Sequence, residues 1–112
     1  MPRDYKIYLN DILASIAKIA EYTKDVSFEE FSEDGMREDA IIRNLITIGE
    51  AVKSIPKEVR SKSSEVQWEE VAGFRDILIH QYFGTDLETV WDIIKNDLPK
   101  LKISIESLVK KL

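Results

Sequence analysis

The sequence contains no cysteine and only one histidine among its 112 residues. Disulfide frameworks and cysteine-based metal sites are therefore excluded, and zinc sites built mostly from carboxylates are uncommon. We expect a protein that uses no metal and no cofactor. No apolar run approaches the roughly 20 residues that span a bilayer, and residues 1–6 lack the apolar core of an export signal. We therefore expect a cytoplasmic protein that makes no membrane contact.

Basic residues are in the minority. Lysine and arginine number 16 against 21 aspartates and glutamates, which gives a net charge of −5. This balance disfavours electrostatic binding of nucleic acid over the whole protein surface, so any contact with RNA must depend on a few local cations. The four glycines are scattered, and none belongs to a phosphate-binding loop. The length and the 44% hydrophobic content predict one globular domain over residues 1–112.

Apolar residues recur every three or four positions along most of the chain, which indicates α-helices. No alternating run indicates a strand. The predicted helices cover residues 4–22, 27–33, 37–54, 68–82, a segment after Asp86 that reaches Ile94, and 99–111, with one further turn over 57–60. Gly35 is expected to end the second helix and Gly84 to cap the fourth. The predicted fold is an all-α, up-down bundle of four to five helices.

The single histidine lies in the run Arg75-Asp76-Ile77-Leu78-Ile79-His80-Gln81-Tyr82. An imidazole, with an ordinary pKa of about 6.5, can give and accept a proton near neutrality. On a helix, Asp76 lies one turn before His80 and can orient its ring, while Arg75 and Tyr82 share a ridge. An oriented imidazole beside a guanidinium suits phosphodiester cleavage without a metal. The spacing alone also fits a partly buried histidine beside a solvated charge pair.

A lone histidine limits this chemistry. Attack of a ribose 2′-hydroxyl on its own phosphate works best with both a general base and a general acid. A two-fold homodimer would bring two copies of His80 and Arg75 into one cleft. If the chain cleaves RNA, we therefore expect it to be a homodimer.

The pattern Arg75-x4-His80-x-Tyr82 resembles the motif of the HepT-like branch of the HEPN superfamily (higher eukaryotes and prokaryotes nucleotide-binding domains). The resemblance extends over residues 42–51, 68–75, 80–84, 90–93 and 96–99. It implies a HEPN-type, homodimeric, metal-independent endoribonuclease that acts on cellular RNA as the toxin of a type VII-like toxin–antitoxin system. Asp76 stands where this family often has asparagine, so it adds negative charge beside the expected scissile phosphate.

The resemblance also implies residue roles and a partner. Arg75 and His80 would form the catalytic pair, with Asp76 in support. Tyr82 would accept AMP from an MNT-type (minimal) nucleotidyltransferase antitoxin, which neutralises the toxin in this way. Two other interpretations stay open: a non-catalytic helical interaction module, and a nucleotide-binding subunit of a nucleotidyltransferase complex.

Overall fold

The described part of the chain is helical throughout its regular structure. The computed structural model describes residues 4–74, 76, 78 and 86–112. Its helices are α1 (Tyr5–Thr23), α2 (Phe28–Glu33), α3 (Gly35–Lys53), α4 (Lys57–Arg60), α5 (Trp68–Ala72), α6 (Leu87–Asp92), a π-helical turn (Ile93–Asp97) and α7 (Leu98–Lys111). The prediction of an all-α fold is confirmed. None of the helices within these described ranges is both long enough and apolar enough to cross a membrane.

The core is built around the two long helices α1 and α3, which pack along each other. Their buried apolar residues recur at three- and four-residue spacing, so each helix presents one continuous apolar face. They include Leu9, Ile12, Ile16 and Ile19 on α1, and Ile41, Leu45, Ile48 and Val52 on α3, where Ile42 and Ala51 are also buried. Helix α5 packs against α3, and α7 packs against α1. The α1–α3 pair therefore supports both the segment before the motif and the C-terminal helix.

Helix α2 is fixed at its start by a capping box. The Ser27 hydroxyl accepts a hydrogen bond from the Glu30 N–H at 3.1 Å, and the Glu30 carboxylate accepts one from the Ser27 N–H at 3.2 Å. The predicted role of Gly35 as the end of this helix is wrong. The helix ends at Glu33, and Gly35 is already the first residue of α3. The reason is Asp34, whose carboxylate accepts the Arg37 N–H at 3.1 Å and so caps α3.

Three aromatic rings join α2 to α6. The ring centres of Phe31 and Trp91 are 5.1 Å apart, and those of Phe28 and Trp91 are 6.0 Å apart at an interplanar angle of 62°. Phe31 is fully buried, while the other two rings are half-buried against the core. The Lys95 ammonium lies 4.7 Å from the Trp91 ring centre, a cation–π distance. This cluster holds in place the helix that follows the motif.

The two C-terminal helices predicted from the sequence form one continuous helical rod. They are joined by the π-helical turn, in which the Leu98 N–H bonds to the carbonyl of Ile93, five residues earlier. Pro99 explains this geometry, because proline has no N–H to donate and its ring clashes with the carbonyl four residues before it. A locally wider turn lets the helix continue past the proline, which then lies in the first turn of α7.

The segment between α3 and α5 is anchored by Trp68. Its indole N–H donates to the carbonyls of Arg60 and Ser63, both at 3.0 Å. The predicted turn at Lys57–Arg60 is confirmed as α4. Trp68 is half-buried and packs against the core. Its hydrogen bonds therefore fix the starting point of the helix that leads to the motif.

Candidate active site

The predicted catalytic run begins just after α5. This helix starts at Trp68 as predicted but ends at Ala72, where Gly73 forms a turn and donates its N–H to the Glu69 carbonyl at 3.0 Å. Phe74, Asp76 and Leu78 are again helical. Arg75, His80 and Tyr82 lie outside the described residues, as does Gly84. Their assigned roles stay predictions.

The described residues of the run define an inner and an outer side. Phe74 and Leu78 are four residues apart, so they share a helix face, and both are buried in the core. Asp76 is rotated about 200° from Phe74 on a helix, and it is exposed. Phe74 and Leu78 therefore form the apolar side of this segment. The side of the segment that carries Asp76 is therefore the one that faces solvent.

A small cavity lies on the inner side of the segment, between α5 and α7. Its volume is about 120 Å³. The wall combines apolar side chains with charged ones: Glu65, Val66, Gln67, Glu70, Val71, Phe74, Asp97, Lys100, Leu101 and Ser104. Ligand sites for small molecules usually occupy about 300–1,000 Å³. This cavity is therefore too small to hold a nucleotide.

Asp97 on the rim of this cavity has a perturbed carboxyl group. Its pKa is raised from the ordinary value of 3.8, first by partial burial and then by repulsion from Asp92 and Glu70. Lys100 opposes part of this shift. Within the described ranges, no three carboxylates come together as a metal-binding group.

This raised pKa predicts how stability depends on pH. A folded state that holds a proton more tightly than the unfolded chain loses stability as the pH rises from 3.8 through the raised pKa. Asp97→Asn removes the charge. We therefore expect the free energy of unfolding of the variant to rise relative to that of the parent protein over that pH interval. The gain should be no more than about 0.5 kcal/mol, because solvent screens this exposed group. Thermal unfolding between pH 3 and 7 measures it.

Glu106→Gln is the matched control, since it removes an exposed carboxylate from α7, the helix that directly follows Asp97. It corrects for the general effect of lowering the negative charge of an acidic chain. A lower melting temperature of Asp97→Asn than of Glu106→Gln at pH 7 would contradict the assigned repulsion.

A second, larger groove lies between α1 and α3. Its volume is about 440 Å³, and Lys18, Tyr22, Arg43 and Asn44 contribute to its wall. The sequence analysis did not single out Lys18 or Tyr22, because they face their neighbours only when α1 packs on α3. The sequence did contain one indication of a shared surface. Lys18 and Tyr22 lie one helical turn apart, so they stand on the same face of α1.

Comparison with known proteins decides the family. The model described as "Ribonuclease HepT-like" matches residues 12–108. The chain belongs to the HepT-like ribonuclease family. The family predicted from the Arg-x4-His-x-Tyr pattern is thus confirmed, and Arg75, Asp76, His80 and Tyr82 all fall within the matched range.

Several relatives are similar to this HepT-like chain over its whole length. A "Probable ribonuclease HepT" from Thermococcus cleftensis is 44% identical over 110 residues, covering 98% of this chain and 100% of that protein. A "Putative RNase" from Methanocaldococcus jannaschii is 46% identical over 110 residues, covering 98% and 95%. A further protein of that organism, "Gamma-glutamylcyclotransferase and putative RNase", is 47% identical over 112 residues. The chain spans 50% of its length. No solved structure gives a significant match.

Proposed function

We propose that this HepT-like chain is a metal-independent endoribonuclease that cleaves cellular RNA as the toxin of a type VII-like toxin–antitoxin system. The main support is the family match over residues 12–108, which contains the complete motif. The relatives that it matches end to end are named as ribonucleases. The exposed helical position of Asp76 adds support, because it opens that side of the motif segment to a substrate.

In the proposed reaction, Arg75 binds the scissile phosphate through its paired N–H donors and stabilises the charge that develops there. The His80 imidazole accepts the proton of the 2′-hydroxyl, and the 2′ oxygen then forms a bond to phosphorus. The bond from phosphorus to the 5′ oxygen breaks, and that oxygen takes a proton from an imidazolium. The products are a 2′,3′-cyclic phosphate and a 5′-hydroxyl.

This scheme needs a base and an acid at the same phosphate. We therefore propose that residues 1–112 form a single domain that pairs as a two-fold homodimer, with one His80 accepting and the partner's copy donating the proton. In each protomer, Asp76 orients the imidazole of His80 through a hydrogen bond. Sedimentation of the purified chain measures the oligomeric state, and a fully active monomer would refute this part of the proposal. We also propose that the ribonuclease acts in the cytoplasm.

Control of the toxin is proposed to act on Tyr82. Transfer of AMP by an MNT-type nucleotidyltransferase would place a phosphate beside Arg75, where it occupies the anion site and repels RNA. Incubation with that enzyme and ATP should add one or more AMP units to the peptide that contains Tyr82. Tyr82→Phe should block the addition and escape neutralisation. Mass spectrometry of the digested protein checks both results.

The other tyrosines provide an internal control for this prediction. If AMP is found on Tyr5, Tyr8 or Tyr22 while Tyr82 stays unmodified, the proposed control is wrong. A chain that accepts AMP on Tyr82 but cleaves no RNA beforehand would instead be a non-catalytic partner. Saturable ATP binding without the partner would favour a nucleotide-binding subunit.

A further inference from the structure

We infer that the groove between α1 and α3 is an accessory binding site for single-stranded RNA, with Lys18 and Arg43 holding backbone phosphate and Tyr22 stacking on a base. The inference rests on the proposed ribonuclease function, because it names where the same substrate is held outside the motif. Nothing in the sequence motif assigns this groove a role.

The dimensions of the groove suit an extended polymer. Its volume of about 440 Å³ falls within the range of about 300–1,000 Å³ that is usual for ligand sites. Along α1 it extends from Asp11 to Tyr22, a rise of about 16 Å at 1.5 Å per residue. A stacked strand rises about 3.4 Å per nucleotide. The groove is therefore long enough for several nucleotides.

The charged side chains that line the groove have a net positive charge, which favours an anionic ligand. Lys18 and Arg43 are exposed on two different helices, and neither side chain forms an ion pair or a hydrogen bond within the described part of the chain. Asp11 also lines the groove, but it lies two helical turns, or about 10 Å, from Lys18 along α1. Although the whole chain carries a net charge of −5, the wall of this groove holds two cations, Lys18 and Arg43, and one carboxylate, that of Asp11. A backbone phosphate would give these cations an anionic partner.

The other groups in the groove favour RNA over an acidic peptide. Tyr22 is half-buried one helical turn from Lys18 and contributes an aromatic surface to the groove. The Asn44 amide N–H donates to the Ala40 carbonyl at 2.8 Å, which fixes the side chain and leaves its amide oxygen to accept from a base edge. Cations beside an aromatic ring are the usual means of holding single-stranded nucleic acid. An acidic peptide lacks the row of planar bases that stack on such a ring.

The test measures RNA binding by a variant of the chain that is expected not to cleave the RNA. The chain carrying His80→Ala is titrated against a fluorescent single-stranded RNA oligonucleotide at several salt concentrations. Adding Lys18→Gln together with Arg43→Gln should weaken binding about 10-fold or more. It should also lower the slope of log affinity against log salt by about 0.7 for each phosphate that is no longer neutralised. Tyr22→Leu should weaken binding about 5-fold or more, while Tyr22→Phe should retain it.

The control pair Lys53→Gln and Lys110→Gln makes the same change in net charge at exposed positions outside the groove. Equal affinity and equal salt slope for the groove pair and the control pair would overturn the inference. It would also be overturned if the groove pair lost binding to poly-glutamate but kept full binding to RNA. Thermal unfolding of each variant shows whether it is folded. Failure of the proposed function is distinguishable, because it appears as absent cleavage by the unsubstituted chain whatever the groove binds.

Discussion

Replacing His80 with alanine should lower the rate of RNA cleavage by about 10²–10⁴-fold, the range that general acid–base catalysis contributes. In the proposed homodimer the substitution removes both the base and the acid, so the upper part of that range is expected. Arg75→Ala should lower the rate by about 10²–10³-fold, because it removes the main stabilising charge at the phosphate. Initial rates with a defined RNA, at enzyme concentrations where the dimer persists, measure both effects.

Gln81→Ala is the matched control, since Gln81 lies between His80 and Tyr82 in the sequence and is assigned no role. It should cleave at close to the unsubstituted rate. Both catalytic variants should unfold at the same temperature as the control, which separates an effect on chemistry from an effect on structure. In cells, expression of the unsubstituted chain without the proposed antitoxin should slow growth, and His80→Ala should relieve that effect. Cleavage by His80→Ala at the control rate would remove the histidine from the mechanism.

Phe31→Ala should lower the free energy of unfolding by about 3–5 kcal/mol. Phe31 is fully buried, and its ring packs against both Phe28 and Trp91 at the junction of α2 and α6. Its removal eliminates the burial of a large apolar side chain and leaves a cavity beside the rings of Phe28 and Trp91. Small domains are stable by only about 5–15 kcal/mol, so the variant should be close to the limit of folding. Urea unfolding followed by circular dichroism measures the decrease.

Phe28→Ala is the comparison for this effect. Phe28 belongs to the same cluster but is only half-buried, so its replacement should have a clearly smaller effect. A third variant, Phe31→Leu, should recover most of the stability because it refills much of the volume. A decrease below about 1 kcal/mol for Phe31→Ala would mean that the aromatic cluster does not hold α6 in place.

The local signals in the sequence predicted most helix starts. The Ser27–Glu30 capping box is present with both hydrogen bonds. Asp86, after which a helix was predicted, caps α6: its carboxylate accepts the Glu88 N–H at 3.1 Å and the Thr89 hydroxyl at 2.8 Å. The Thr89 bond is also the main reason why the pKa of Asp86 is lowered. Such signals succeed because a cap involves residues only two or three positions apart, whose contact depends on little else.

The errors arose where two local signals competed. Gly35 is usually a helix terminator, but Asp34 beside it supplies a cap, and the cap begins a new helix there. Pro99 is usually a helix breaker, but the π-helical turn before it removes the conflict with the preceding carbonyls. In both cases, packing of the following helix on the core favours its continuation. A sequence does not show that packing.

The site was predictable only in part. The motif spacing pointed to the family, whose model matches residues 12–108. The α1–α3 groove was beyond a sequence argument, because Lys18 and Arg43 share it only once two helices pack together. Long-range placement of this kind depends on the whole core rather than on any spacing along the chain.

The most direct test of the central claim is the chemistry of the RNA ends that the purified chain produces in EDTA. The proposed mechanism predicts cleavage in EDTA at the same rate as in magnesium, with 2′,3′-cyclic phosphate and 5′-hydroxyl ends identified by mass spectrometry. The same ends should be absent with His80→Ala. Cleavage that stops in EDTA and returns with magnesium, or ends that carry a 3′-hydroxyl and a 5′-phosphate, would contradict the claim.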